Sequence, residues 1–149
     1  YYVITGEWSH HVAVASIAYA LGPTAVLFGK HIDKLDADSA KSIRTLPVIL
    51  GERNSRYTVL GMLVAQFAVI AYLVAIGYFT PAMLIPFAAV PSLRRVFATY
   101  QHPRPKQAPP ELPKGVWPLY FVAVTFWYNR RFGILFLVGL LGDILLSRL

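Results

Sequence analysis

Three carboxylates, Asp33, Asp36 and Asp38, fall close together between two long apolar segments, in the stretch KHIDKLDADSAKSIRTLPVILG that runs from Lys30 to Gly51. Lys30, Lys34, Lys41 and Arg44 stand among them. Acids and bases gathered at a helix mouth are the ingredients for holding a divalent cation together with a phosphorylated ligand. Hard cations such as Mg²⁺ take oxygen ligands, usually one or two carboxylates plus substrate phosphates. The same residues also suit a solvated loop whose charges simply follow membrane topology.

The segments that must position this cluster belong in a bilayer. Of 149 residues, 56% are hydrophobic and 14% charged, and the mean hydropathy of +0.53 is too apolar for a soluble domain of this length. The formal charge of +7 does not indicate nucleic acid, because the basic residues sit in short loops beside apolar segments and not along one continuous face. With no cysteine there is no disulfide framework, thiolate metal site or catalytic thiol. The chain opens YYVITGEW without an initiator Met or a signal-peptide pattern, so a fragment is expected.

The pattern predicts an all-α membrane protein, a multi-pass transmembrane helix bundle of about four spans plus one interfacial or re-entrant helix. A hydrocarbon core of roughly 30 Å asks for about 20 apolar residues per span. The expected spans cover about 10–29, 58–79, 82–100 and 132–147. The first contains Gly22 and Pro23, the second only Gln66 as a polar interruption, read as an interhelical hydrogen bond, and the third Pro86 and Pro91, which predict a bend. Val116 to Tyr128 is short for a span, and making it cross would put Arg130 and Arg131 outside. It is therefore expected to lie in the interface, anchored by Trp117, Tyr120, Trp127 and Tyr128. Asp143 falls near the far end of the last span, where an exposed or paired acid costs little. Gly139 and Gly142 have the spacing of a small-residue packing face.

The loop from Lys30 to Arg56 is basic and should be cytoplasmic; the uncharged hairpin at Thr80 should then be outside, and the stretch from Arg94 to Lys114 cytoplasmic again. Gln101 to Gly115, QHPRPKQAPPELPKG, is too rich in Pro to be helical and predicts an extended connection. No Walker loop, G-x-G-x-x-G or G-x-S-x-G occurs. His10 and His11, beside Glu7, lack a third nearby ligand and read as interfacial residues.

The stretch from Asp33 to Gly51 resembles the second aspartate-rich motif of the UbiA superfamily of intramembrane prenyltransferases. In that family an acidic cluster leads into a segment similar to Ser42-Ile43-Arg44-Thr45-Leu46-Pro47-Val48-Ile49-Leu50-Gly51. Asn129-Arg130-Arg131-Phe132-Gly133-Ile134-Leu135-Phe136 is similar to the polar entry to the family's last helix, so the resemblance covers nearly the whole chain. Two departures stand out. The acids read D-x-x-D-x-D where the family has D-x-x-x-D, with Lys34 at the expected first position, and the family's first aspartate motif is absent, as in the second half of such an enzyme.

The resemblance implies Mg²⁺-dependent transfer of a prenyl group from a prenyl diphosphate to an acceptor, commonly aromatic, in lipid quinone or related lipid biosynthesis. Asp33, Asp36 and Asp38 are then the catalytic, metal-side carboxylates, and Lys30, Lys34 and Arg44 the diphosphate contacts. The implied setting is a bacterial or archaeal cell membrane with the Asp-rich loop cytoplasmic, membrane lipid around the bundle, and the N-terminal half of the same protein as partner, without which the chain is expected to be inactive. Thr45 to Gly51 is expected to position the following helix, because its Pro and Gly have local structural uses. Two alternatives stay open on the residues alone: a transporter half whose acids recognise a cation or basic solute, and an assembly subunit whose charged loop binds a partner.

Overall fold

The computed structural model describes residues 1–110 and 112–148, and within them every regular element is helical. A single turn, α1 (Tyr2–Thr5), precedes α2 (His10–Asp33), α3 (Leu35–Ala40) and α4 (Leu46–Ala75); a 3₁₀ helix (Pro81–Ala89) runs into α5 (Val90–Tyr100), and α6 (Tyr120–Leu146) closes the chain.

Local chemistry accounts for the boundaries. The Ser9 hydroxyl accepts from the Val12 N–H at 3.4 Å and caps α2. Pro23 lies inside that helix and leaves the Tyr19 carbonyl without its usual donor, which apolar helices packed against neighbours tolerate. Pro47 occupies the first turn of α4, where a missing N–H loses nothing. Gly51 then adopts φ 77° and ψ 163°, open only to glycine, so α4 turns sharply after Leu50. The local uses expected of this Pro and Gly are present. Pro81 and Pro86 fall within the 3₁₀ segment and Pro91 in the first turn of α5; a proline ring opposes the carbonyl four residues back, which explains why Pro81 to Tyr100 is a 3₁₀ turn followed by an α-helix.

Successive long elements alternate in direction. The end of α2 meets the start of α4, the end of α5 and the start of α6, while His11 stacks on Tyr78 at the other end (ring centroids 4.9 Å). Between them lies one core, in which Phe67 of α4 packs edge-on against Phe87 (5.0 Å) and Phe132 (5.6 Å). Buried Gln66 donates to the Ala18 carbonyl (3.1 Å) and accepts from the Tyr128 hydroxyl (3.4 Å), the interhelical hydrogen bond read from the sequence. Glycine sets the closest approaches. A Cβ at Gly29 would stand 2.7 Å from the Tyr100 hydroxyl and 3.1 Å from the Val122 backbone, and one at Gly142 would stand 3.1 Å from Ala82 Cβ.

Helices α2 and α4 are long and apolar enough to cross a membrane. Only 22% and 39% of their most apolar stretches are buried within the chain, unlike the core helices of a soluble domain. One expectation needs correcting: Val116 to Tyr128 is not a separate helix, because Tyr120–Leu146 is continuous. Arg130 and Arg131 do not interrupt it, since both side chains are exposed and Arg131 reaches across to Ser92 (3.0 Å). The described residues after Gln101 are not helical, as expected, but form turns and bends where an extended connection was expected; Glu111 lies outside the described residues.

Candidate functional site

Asp33 is the last residue of α2, and its side chain is buried at the junction with α6. Its Oδ1 accepts from the Phe121 N–H at 3.0 Å and its Oδ2 from the Val122 N–H at 2.9 Å. These are first-turn N–H groups, which have no partner within their own helix. A carboxylate there satisfies two of them and meets the positive end of the helix dipole. Arg104 Nε lies 3.8 Å from Asp33 Oδ1 and adds a cation to the same corner. Asp33 therefore fastens α6 to α2.

The other two acids lie on α3, beyond a break at Lys34. Asp38 Oδ2 pairs with His31 Nδ1 at 3.2 Å. Asp36 is exposed and pairs with no cation among the described residues. The three carboxylates thus have three different surroundings, and among the described residues no three Asp, Glu or His side chains come together as one metal-holding set. Lys30, Lys34 and Arg44 are all exposed.

Asp36 lines a cleft of about 300 Å³ whose other polar walls are Glu52, Arg104 and Lys106, with Trp117 beside them. Glu52 Oε1 accepts from the Arg104 backbone N–H (3.1 Å) and pairs with Arg56 Nε (3.2 Å). Arg104 is held by three further groups: its Nη2 donates to the Pro118 carbonyl (2.9 Å), its guanidinium lies 4.9 Å from the Trp117 ring centroid, and Asp33 stands behind it. Arg56 Nη1 donates to the Tyr100 carbonyl (2.8 Å), and the Tyr100 hydroxyl meets Thr125 Oγ1 at 2.6 Å. Elements far apart in sequence are tied together around one charged cleft.

A hard divalent cation needs one or two carboxylates plus ligand phosphate. Asp36 and Glu52 line one cleft, with Glu52 Oε1 already engaged by Arg104 and Arg56, while both oxygens of Asp33 accept from backbone N–H groups. Glu52, Arg104 and Lys106 were absent from the set expected from sequence. The signal that could have raised them is topological, since the basic stretch after Tyr100 returns to the same end of the bundle as the Asp-rich segment.

No protein-family model, curated protein or solved structure matches the chain.

Proposed function

We propose that the chain is the second half of a UbiA-type intramembrane prenyltransferase, a bundle of four membrane-crossing elements whose Asp33 end faces the cytoplasm and binds a prenyl diphosphate. The observation that carries this reading is the cleft in which Asp36 and Glu52 face Arg104 and Lys106 at the mouth of two apolar helices. Asp36 and Glu52 would hold Mg²⁺ there, and a bound Mg²⁺ would supply charge neutralisation of the diphosphate leaving group. Arg104 is fixed in place and presents its guanidinium to phosphate oxygens, while Lys106 adds a mobile ammonium. Both stabilise the charge that grows on the diphosphate as the allylic carbon–oxygen bond breaks, most effectively where water is thin. Trp117 walls the same cleft and shields it. The prenyl chain lies among the apolar helix faces, and the acceptor, commonly an aromatic ring, forms the new carbon–carbon bond and releases a proton. Asp33 acts at one remove, as a positioning residue that holds the start of α6 and, through Arg104, the wall of the cleft.

The family resemblance requires a second acidic cluster, which we assign to the N-terminal half of the same protein. The test is prenyl transfer by the two halves together in lipid nanodiscs with Mg²⁺. Asp36→Ala should lower turnover at least about 100-fold, a loss comparable to removing one transition-state stabiliser, and chelation of Mg²⁺ should abolish it. Unchanged turnover in Asp36→Ala and Glu52→Ala alike would refute the site.

A further inference from the structure

A second polar feature lies between α5 and α6 and takes no part in the cleft. Ser92, Arg95, Val124, Trp127 and Arg131 line a groove of about 250 Å³. It adjoins a hollow of about 180 Å³ that shares Arg95, Val124 and Trp127 and reaches Thr99 and Tyr120. Arg131 Nη1 donates to Ser92 Oγ at 3.0 Å, and the Arg95 guanidinium lies 5.8 Å from the Trp127 ring centroid. Two guanidiniums therefore converge on one groove, and among the described residues neither has a carboxylate partner. Arg56 and Arg104, by contrast, each have one.

From the groove, we infer a binding site for the phosphate headgroup of an anionic phospholipid. The inference rests on the membrane placement proposed above and not on the prenyl-transfer chemistry. Arg131 stands in α6 directly before Phe132, where the expected last span of about 132–147 begins, and so at the level of the headgroups. A guanidinium without a carboxylate partner at the edge of an apolar span is suited to an anionic group at the headgroup level. A phosphodiester brings a compensating charge and several acceptor oxygens, which the planar donor fork of arginine matches two at a time. Basic pockets between membrane helices on the cytoplasmic side are suited to such headgroups.

The surface next to the groove supports a lipid over a free anion. Ile134, Val138, Leu141 and Leu145 continue the stripe of α6 begun by Arg131, at three- and four-residue spacing, and all four are exposed. An acyl chain attached to a phosphate held at Arg131 would lie along that stripe. Inorganic phosphate would gain nothing from it.

The experiment is native mass spectrometry of the full chain released from nanodiscs of mixed phosphatidylcholine and phosphatidylglycerol. The expected result is retained phosphatidylglycerol in preference to phosphatidylcholine, with about ten-fold less retention in the Arg95→Gln/Arg131→Gln variant and normal retention in Arg94→Gln/Arg130→Gln. Excess inorganic phosphate should not displace the lipid. A photoactivatable phosphatidylglycerol added to the unmodified chain should label the segments 92–95 and 127–131, a readout that does not depend on any variant folding. Equal retention of the two lipids, full retention by the double variant, displacement by inorganic phosphate, or labelling confined to other segments would each overturn the proposal. Failure of the two reconstituted halves to transfer a prenyl group, with lipid retention intact, would instead count against the cleft alone.

Discussion

The two ends of the bundle use the same device and differ in what surrounds it. At one end Asp143 Oδ1 accepts from the Thr80 N–H at 2.6 Å, just before the 3₁₀ helix begins. At the other, Asp33 accepts from Phe121 and Val122 at the start of α6. Each is a carboxylate closing the open N-terminus of another helix, where unpaired N–H groups and the helix dipole favour negative charge. The Asp143 corner stops there: the hairpin it closes, from Ile76 to Ala82, contains no charged residue. At the Asp33 corner Arg104 approaches as well, and beyond it lies a cleft lined by Asp36, Glu52 and Lys106. An isolated acid at a span end is accounted for by capping. Charge in excess of the cap is what supports the ligand site proposed above.

Substitutions can break or sharpen this contrast, and the largest effect is expected at the first corner. Asp33→Ala leaves two buried N–H groups and Arg104 without their partner, and should lower stability by about 3 kcal/mol, measured by reversible unfolding in mixed micelles. Gly29→Ala should cost about 2 kcal/mol, because the Val122 backbone beside it cannot move aside as a side chain could; the same measurement checks it, and a neutral result would mean that α2 and α6 are less tightly apposed than described. Asp143→Ala, which removes one cap and strands no cation, should cost about 1 kcal/mol. Gln66→Leu breaks two interhelical hydrogen bonds between the two ends, to Ala18 and from Tyr128, each worth about 0.6 kcal/mol. If Asp143→Ala proved as damaging as Asp33→Ala, the two corners would not differ in the way proposed.

Much of the fold was legible because it follows from local pattern. Apolar runs marked α2 and the later part of α4, which begins at Leu46 within the stretch read as a loop, prolines marked the irregular third element, and Gln66 and Gly142 make the close packing contacts their types suggested. The continuity of α6 through Arg130 and Arg131 was missed, because hydropathy breaks at two arginines while the backbone hydrogen bonds do not. The site was only half legible. Sequence placed Asp33, Asp36 and Asp38 in one motif, but whether a carboxylate caps a helix or faces a cleft depends on what packs against it, and Phe121 lies 88 residues from Asp33. Arg104 and Lys106 were visible only as topology signals, since nothing local to a Pro-rich connection shows that it folds back over the acids.

The central claim is that Asp36 faces the ligand while Asp33 holds the fold, and Mg²⁺-dependent binding of a non-hydrolysable prenyl thiodiphosphate to the chain in nanodiscs tests it most directly. Asp36→Asn should weaken binding about ten-fold while unfolding as the unmodified chain does, to within about 0.5 kcal/mol. Asp33→Asn should lower stability first, with any loss of binding following the loss of fold. The account would be contradicted if Asp36→Asn bound the analogue as well as the unmodified chain, or if Asp33→Asn kept full stability and lost binding.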